Sequence, residues 1–276
     1  MGFLHPWASS TKRSILALSA LCASLFSFTP GIAREHGVEV DAEIVLAVDI
    51  SYSMDRTEQE LQREGYVKAL TSEAFLNALK SNGLGKIALT YIQWASFSDQ
   101  DVVLNWTVID GPASAQAVAD KLARAPYRRA QRTSISGAID ASVRLFNYNG
   151  FKGTRQVIDI SGDGPNNHGR GVVAARDDAI AKGVTINGLP LLIRPVRTMY
   201  MDIENLDQYY EDCVIGGPGA FMIPVRDSAA FVEATRTKLV QEIASRSVLP
   251  VIRASAREPR MSCMVGEDLW RRLRGD

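Results

Sequence analysis

Between Glu43 and Asp55 the chain reads EIVLAVDISYSMD, and no other stretch restricts the fold as tightly. Residues 44–48 are apolar and rich in β-branched side chains, without the polar alternation of a strand that has one wet face. Such a run belongs inside a parallel sheet, buried on both sides. It stops abruptly at Asp49, Ser51 and Ser53, three oxygen-bearing side chains on alternate positions. In open α/β sheets ligands collect in the crevice outside the carboxyl ends of the strands, where loops converge on a rigid frame. The carboxylate and two hydroxyls of DISYS are expected in that crevice.

The pattern downstream repeats this kind of unit. Thr57 and Glu60 have the spacing of a capping box, and Leu61, Leu70, then Phe75, Leu76 and Leu79 supply the apolar side of a helical region. GKIALTYIQWAS and QDVVLNWTVID, separated by SFSDQ, read as a hairpin whose second arm lies antiparallel at a sheet edge. A helix is expected over 111–125, with Pro112 near its first turn and Pro126 ending it. Ile135, Ile139, Val143 and Phe146 follow helical spacing, which puts Thr133 and Ser134 at or just before a helix N-terminus. RQVIDIS is another strand of the buried type with Asp163 just beyond it, and VVAARDDAIAKG with VTINGLPLLI adds a further helix and strand. A short helix near 204–212, a last strand AFMIPV, and a final helix capped by Asp227 or Ser228 complete the pattern. After Pro250 the chain reads as basic and irregular. The expected fold class is α/β, doubly wound: a mostly parallel central sheet with one antiparallel edge strand and helices on both faces, Rossmann-like.

Charge and cysteine usage bear on the compartment. Lys12 and Arg13 precede an apolar stretch from Ile15 to Phe28, followed by Pro30, Gly31 and Ala33, the three-part pattern of a secretory signal peptide over residues 1–33. The stretch is short of the roughly 20 residues needed to span a bilayer. Export to the periplasm or beyond is therefore expected, with no membrane span after cleavage. The domain would occupy 34–247, and 248–276 would be a tail. Cleavage takes two of the 31 basic groups and none of the 31 acidic ones, leaving a formal charge of −2 and no surplus for nucleic acid or an anionic membrane. Cys213 and Cys263 remain in an oxidising compartment, where they are expected to pair and tie the tail back; two buried thiols are the alternative.

In a doubly wound sheet Asp49, Ser51, Ser53, Thr133 and Asp163 fall on one edge. The set contains only oxygen ligands, two carboxylates and three hydroxyls, which suits Mg²⁺, Mn²⁺ or Ca²⁺ and disfavours Zn²⁺. With so few charged ligands a metal keeps waters and an open position that an acidic group of a partner can fill.

These residues make the chain resemble the von Willebrand factor A domain, whose metal-ion-dependent adhesion site uses Asp-x-Ser-x-Ser, a distant Thr and a distant Asp. DISYS matches the first part, TSISGAI places Thr133 on the ligand threonine, and DISGDG brings Asp163 to the last acidic position. Ser136 stands where the family usually has Gly, and Ser134 is the alternative ligand. The resemblance covers 42–245, and QWA, NWT, GDGPNN and TINGLP are similar to a bacterial secreted subfamily of unknown function. It implies that Ser51 and Ser53 bind Mg²⁺ (or Mn²⁺ or Ca²⁺) directly and Thr133 directly or through water. Asp49 and Asp163 would act mainly through water or hydrogen bonds. It further implies an exported, metal-dependent binding module whose partner is a protein offering a carboxylate, and a last helix, 227–245, that can shift on binding. Two other classes stay open. One is a Mg²⁺-dependent hydrolase or phosphotransferase using Asp49, although such enzymes place a second Asp where this chain has Ser51. His168 near Asp163 would be its base, yet no Ser-His-Asp or Cys-His set is apparent, so an enzyme is not the expectation. The other is a scaffold with a vestigial site that binds through Tyr200, Tyr209 and Tyr210.

Overall fold

All seven residues of Glu43–Asp49 are buried, and in the computed structural model they form the central strand, β2. The structure describes residues 37–81, 83–193, 202–244 and 260–275; the expected signal segment, Tyr200 and residues 248–259 of the tail lie outside them. On one side β2 pairs in parallel with β3 (Ile87–Trp94), and β3 pairs antiparallel with β4 (Gln100–Ile109) at the edge. On the other side β2 pairs in parallel with β6 (Gln156–Gly162), which pairs in parallel with β7 (Val184–Pro190). The order is β4-β3-β2-β6-β7, the doubly wound arrangement with one antiparallel edge strand that the sequence predicts. A separate parallel pair, β1 (Val38–Val40) with β5 (Phe151–Gly153), has no counterpart in that expectation.

Alternation along β2 divides the core. Ile44, Leu46 and Val48 face a layer made by α1 (Arg56–Leu70), α2 (Glu73–Ser81), α3 (Pro112–Arg124) and α7 (Phe231–Ala244), through Tyr66, Phe75, Val118 and Leu239 among others. Val45 and Ala47 face α4 (Ile135–Leu145), α5 (Val172–Ala181) and α6 (Leu206–Tyr209), through Ile139, Ala175 and Tyr209. Each fully buried aliphatic contributes roughly 1.5–3 kcal/mol, so β2 is anchored from both sides. Because the chain runs from β2 to β3 on one side and later enters β6 on the other, the order reverses beside β2. That switch point is where an open α/β sheet forms its crevice.

Three local expectations are corrected and a fourth is refined. The capping box of α1 is Asp55 with Glu58, each side chain accepting from the other's backbone N–H at 2.9 and 2.8 Å, so the Thr57 and Glu60 pair lies inside the helix. AFMIPV is not a strand: Met222 and Val225 make only isolated bridges to Gly188 and Leu191. Pro224 between them has no N–H to give a ladder. The short helix near 204–212 is α6 followed by a π-helical turn, Tyr210–Val214. The chain is also not irregular after Pro250, since α8 (Val265–Arg274) follows. Asp227 does cap a turn, accepting from Ala229 N at 3.0 Å, and that 3₁₀ segment leads directly into α7.

Beneath α7 lies a buried ionic group. Lys238 contacts Asp159 at 2.5 Å and also pairs with Glu242, all three being essentially inaccessible to solvent. Asn187 donates to Glu242 at 3.2 Å.

Candidate metal centre

Strand β2 carries Asp49 to the carboxyl edge of the sheet, where the backbone turns back on the side chain: Ser51 N donates to Asp49 Oδ1 at 2.7 Å. From there the oxygens run in a chain. Ser51 Oγ and Ser53 Oγ are 2.8 Å apart, and Ser53 Oγ donates to Asp163 Oδ1 at 2.7 Å. Asp163 arrives from the far side of the switch point, directly after β6, 110 residues away in sequence. All four side chains are buried. Four of the five residues predicted from sequence are thus joined by hydrogen bonds.

The fifth, Thr133, stands alongside. A Cβ built on Gly164, next to Asp163, would lie 4.0 Å from the Thr133 hydroxyl. Its loop is sewn to both others. Ala130 N donates to Ile50 O at 3.0 Å, Thr133 N donates to Asn167 Oδ1 at 3.0 Å, and Asn167 N donates to Thr133 O at 2.8 Å. Ser134, the alternative ligand, is committed elsewhere: its hydroxyl caps α4 by accepting from Gly137 N at 3.1 Å and donates to His168 O at 2.7 Å. Asn166 accepts from Ser136 N at 3.0 Å, holding the first turn of α4. GDGPNN carries the signal for both asparagines, two adjacent amides just past a candidate ligand aspartate.

Asp49 shows what the arrangement lacks. Its Oδ2 is buried without a hydrogen-bond partner. Burial first, and then the charge of Asp163, raises its pKa well above the ordinary carboxylate value. Gly162 makes room for this carboxylate, since a Cβ there would meet Asp49 Oδ2 at 2.9 Å and the Tyr210 hydroxyl at 3.1 Å. The Tyr210 hydroxyl is likewise buried and unpartnered, and burial followed by the Asp49 charge raises its pKa. A buried oxygen without a hydrogen-bond partner, beside two serine hydroxyls that bond each other, is what a hard cation would satisfy. Among the described residues no group of three or more His, Cys, Asp or Glu side chains is placed to hold a metal, so an ion here would depend on the hydroxyls.

The rim mixes aromatic and basic groups. Tyr52, between the two serines, is about half exposed, and Arg129 lies over its ring and bonds to its carbonyl. Phe97 is exposed against His168, ring centroids 4.9 Å apart, while His168 Nδ1 accepts from Phe97 N at 3.4 Å. Burial, then Arg132, lowers the His168 pKa. The imidazole is occupied in packing this loop.

Residues 39–247 match the family described as "Protein of unknown function (DUF1194)". No curated protein matches. Among solved structures the chain is similar to proximal thread matrix protein 1 from the mussel byssus, one form of which has a zinc-occupied MIDAS motif. The TM-score is 0.55 at 12% identity over 75% of this chain and 49% of that one. It is also similar to a von Willebrand factor type A protein from Catenulispora acidiphila, with TM-score 0.50, 12% identity and 74% of this chain against 43% of that one. The pilus adhesin SpaC from Lactobacillus rhamnosus GG gives TM-score 0.54 at 14% identity, over 74% of this chain and 31% of the adhesin. The chain thus spans half or less of the length of these structures, and at such identities the likeness is one of fold.

Proposed function

Because the chain belongs to the DUF1194 family and folds as a von Willebrand factor A domain, we propose that it is an exported binding module for a carboxylate of a partner protein. The capture would use Mg²⁺, Mn²⁺ or Ca²⁺ at Asp49, Ser51, Ser53, Thr133 and Asp163. The observation that carries this reading is the Asp49–Ser51–Ser53–Asp163 chain, with a buried carboxylate oxygen left over. Similarity to a pilus adhesin and to a matrix protein with a zinc-occupied site supports a binding role and a divalent ion.

Ser51 and Ser53 would offer hydroxyl oxygens, giving up their mutual bond. Asp163, already bonded to Ser53, would orient that hydroxyl, and Asp49 would do the same for the Ser51 backbone. Asn167 holds Thr133 at the edge of the group. When bound, the ion supplies a positive charge with an open coordination position for an external carboxylate. Export through the segment 1–33 accords with the Cys213–Cys263 disulfide, which persists in oxidising compartments. Among the described residues no helix is long and apolar enough to cross a membrane.

Calorimetric titration of the purified protein with Mg²⁺, Mn²⁺, Ca²⁺ and Zn²⁺, beside Asp163→Ala, tests the proposal. Saturable heat from a hard ion, lost in the variant, is expected. Equal heats from both proteins, or none, would remove the metal from the account.

A further inference from the structure

The loop that presents Thr133 is held from behind by helix α8. Asn166 and Asn167, both buried, fix the backbone of Ser136 and Thr133 through their side-chain oxygens. Asn166 is in turn fixed by α8: its Nδ2 donates to Glu267 Oε1 at 2.6 Å. The backbone of Gly266 lies so close that an added Cβ would stand 2.1 Å from Asn166 O. A second contact reaches the residue before the threonine. Arg132 has φ +77°, a left-handed conformation that non-glycine residues seldom adopt, and its guanidinium lies 3.2 Å from the centre of the Trp270 ring.

The helix is itself tethered. Cys263, two residues before α8, is bonded to Cys213 in the π-helical turn, whose first residue is Tyr210 beside Asp49. Arg260 reinforces the link with bonds to Glu211 and to Asp212, the latter at 3.0 Å.

We propose that α8 is a positioning clamp for the metal site: Glu267 and Gly266 against Asn166, and Trp270 against Arg132, keep Thr133 in register with the Asp163 loop. In this assignment Glu267 and Trp270 act through Asn166 and Arg132. The effect on affinity rests on the metal-binding reading above, whereas the effect on the loop does not. Outer residues of this kind typically change metal affinity by about 10- to 100-fold when removed.

The test is amide hydrogen exchange on the full chain, with Mn²⁺ calorimetry in parallel, for Glu267→Ala, Glu267→Gln, Trp270→Ala and Cys263→Ser. Faster exchange at Thr133 and Ser136 is expected in the two alanine variants, with β2 and β3 amides unchanged, and Mn²⁺ binding should weaken by about tenfold or more. Glu267→Gln keeps an acceptor for Asn166 and should restore both. Unchanged exchange and affinity in both alanine variants overturns the clamp, as does faster exchange spread evenly over the sheet. If Cys263→Ser fails to fold, the Glu267 and Trp270 variants still decide. Wild-type protein that binds no Mn²⁺ defeats the metal reading, and the exchange at Thr133 and Ser136 then decides the clamp alone.

Discussion

Asp49 is held in a polar turn at one oxygen and unsatisfied at the other. An unpaired buried charge lowers stability, and an amide of the same shape keeps the acceptor for Ser51 N while removing that charge. Asp49→Asn should therefore raise the metal-free melting temperature at neutral pH, by roughly 2–4 °C per kcal/mol recovered. The same variant should lose any rise in melting temperature on adding Mg²⁺; a variant that melts lower than wild type without metal would contradict this. DISYS, Thr133 and Asp163 were legible because each sits at a recognisable end of a strand or start of a helix. Asn166, Asn167 and Tyr210 were not, because their roles exist only across gaps such as the 34 residues between Thr133 and Asn167. Nothing local marks a tyrosine that faces Asp49.

Elements were legible where one period dominated, as in the buried runs of β2 and β6 or the spacing of α4. They were not where two readings coincided: Asp55 with Glu58 and Thr57 with Glu60 both have capping-box spacing, and only tertiary packing chooses between them. Helix α8 has Val265, Leu269 and Leu273 at helical spacing, but five of its ten residues are charged, and the reading as irregular chain followed the charge instead of the spacing. Helix α7 carries a feature no periodicity announces, the Lys238 group. One lysine serves two buried carboxylates, and burial, then the Glu242 charge, raises the Asp159 pKa to about 7. Lys238→Met should cost about 3–5 kcal/mol in urea unfolding, because it leaves buried charge uncompensated. A folded-state pKa above the ordinary 3.8 means that the Asp159 contribution is present below about pH 4 and is lost as pH rises through about 7. Asp159→Asn should flatten that fall; a slope unchanged from wild type would exclude Asp159 as its source.

At the scale of the whole molecule, the family match ends at residue 247, yet α8, at Val265–Arg274, packs against the loops of the candidate site. What joins it there is covalent. The Cys213–Cys263 bond spans 50 residues, for which loop-closure entropy gives about 4 kcal/mol. Cys213→Ser should lower unfolding stability by an amount of that order without reductant, and equal stability would show that the bond does not hold the tail. The pairing was legible because only these two cysteines follow the expected signal segment. The destination of the tail was not, since contacts such as Asn166 with Glu267 join residues 101 apart.

The most direct measurement is the anomalous scattering of crystals soaked in Mn²⁺. The account predicts one peak bonded to the Ser51 and Ser53 hydroxyls, with Thr133 and Asp163 around it and the bond between the two serines broken. No peak there, with the Ser51–Ser53–Asp163 hydrogen bonds intact at saturating Mn²⁺, would contradict it.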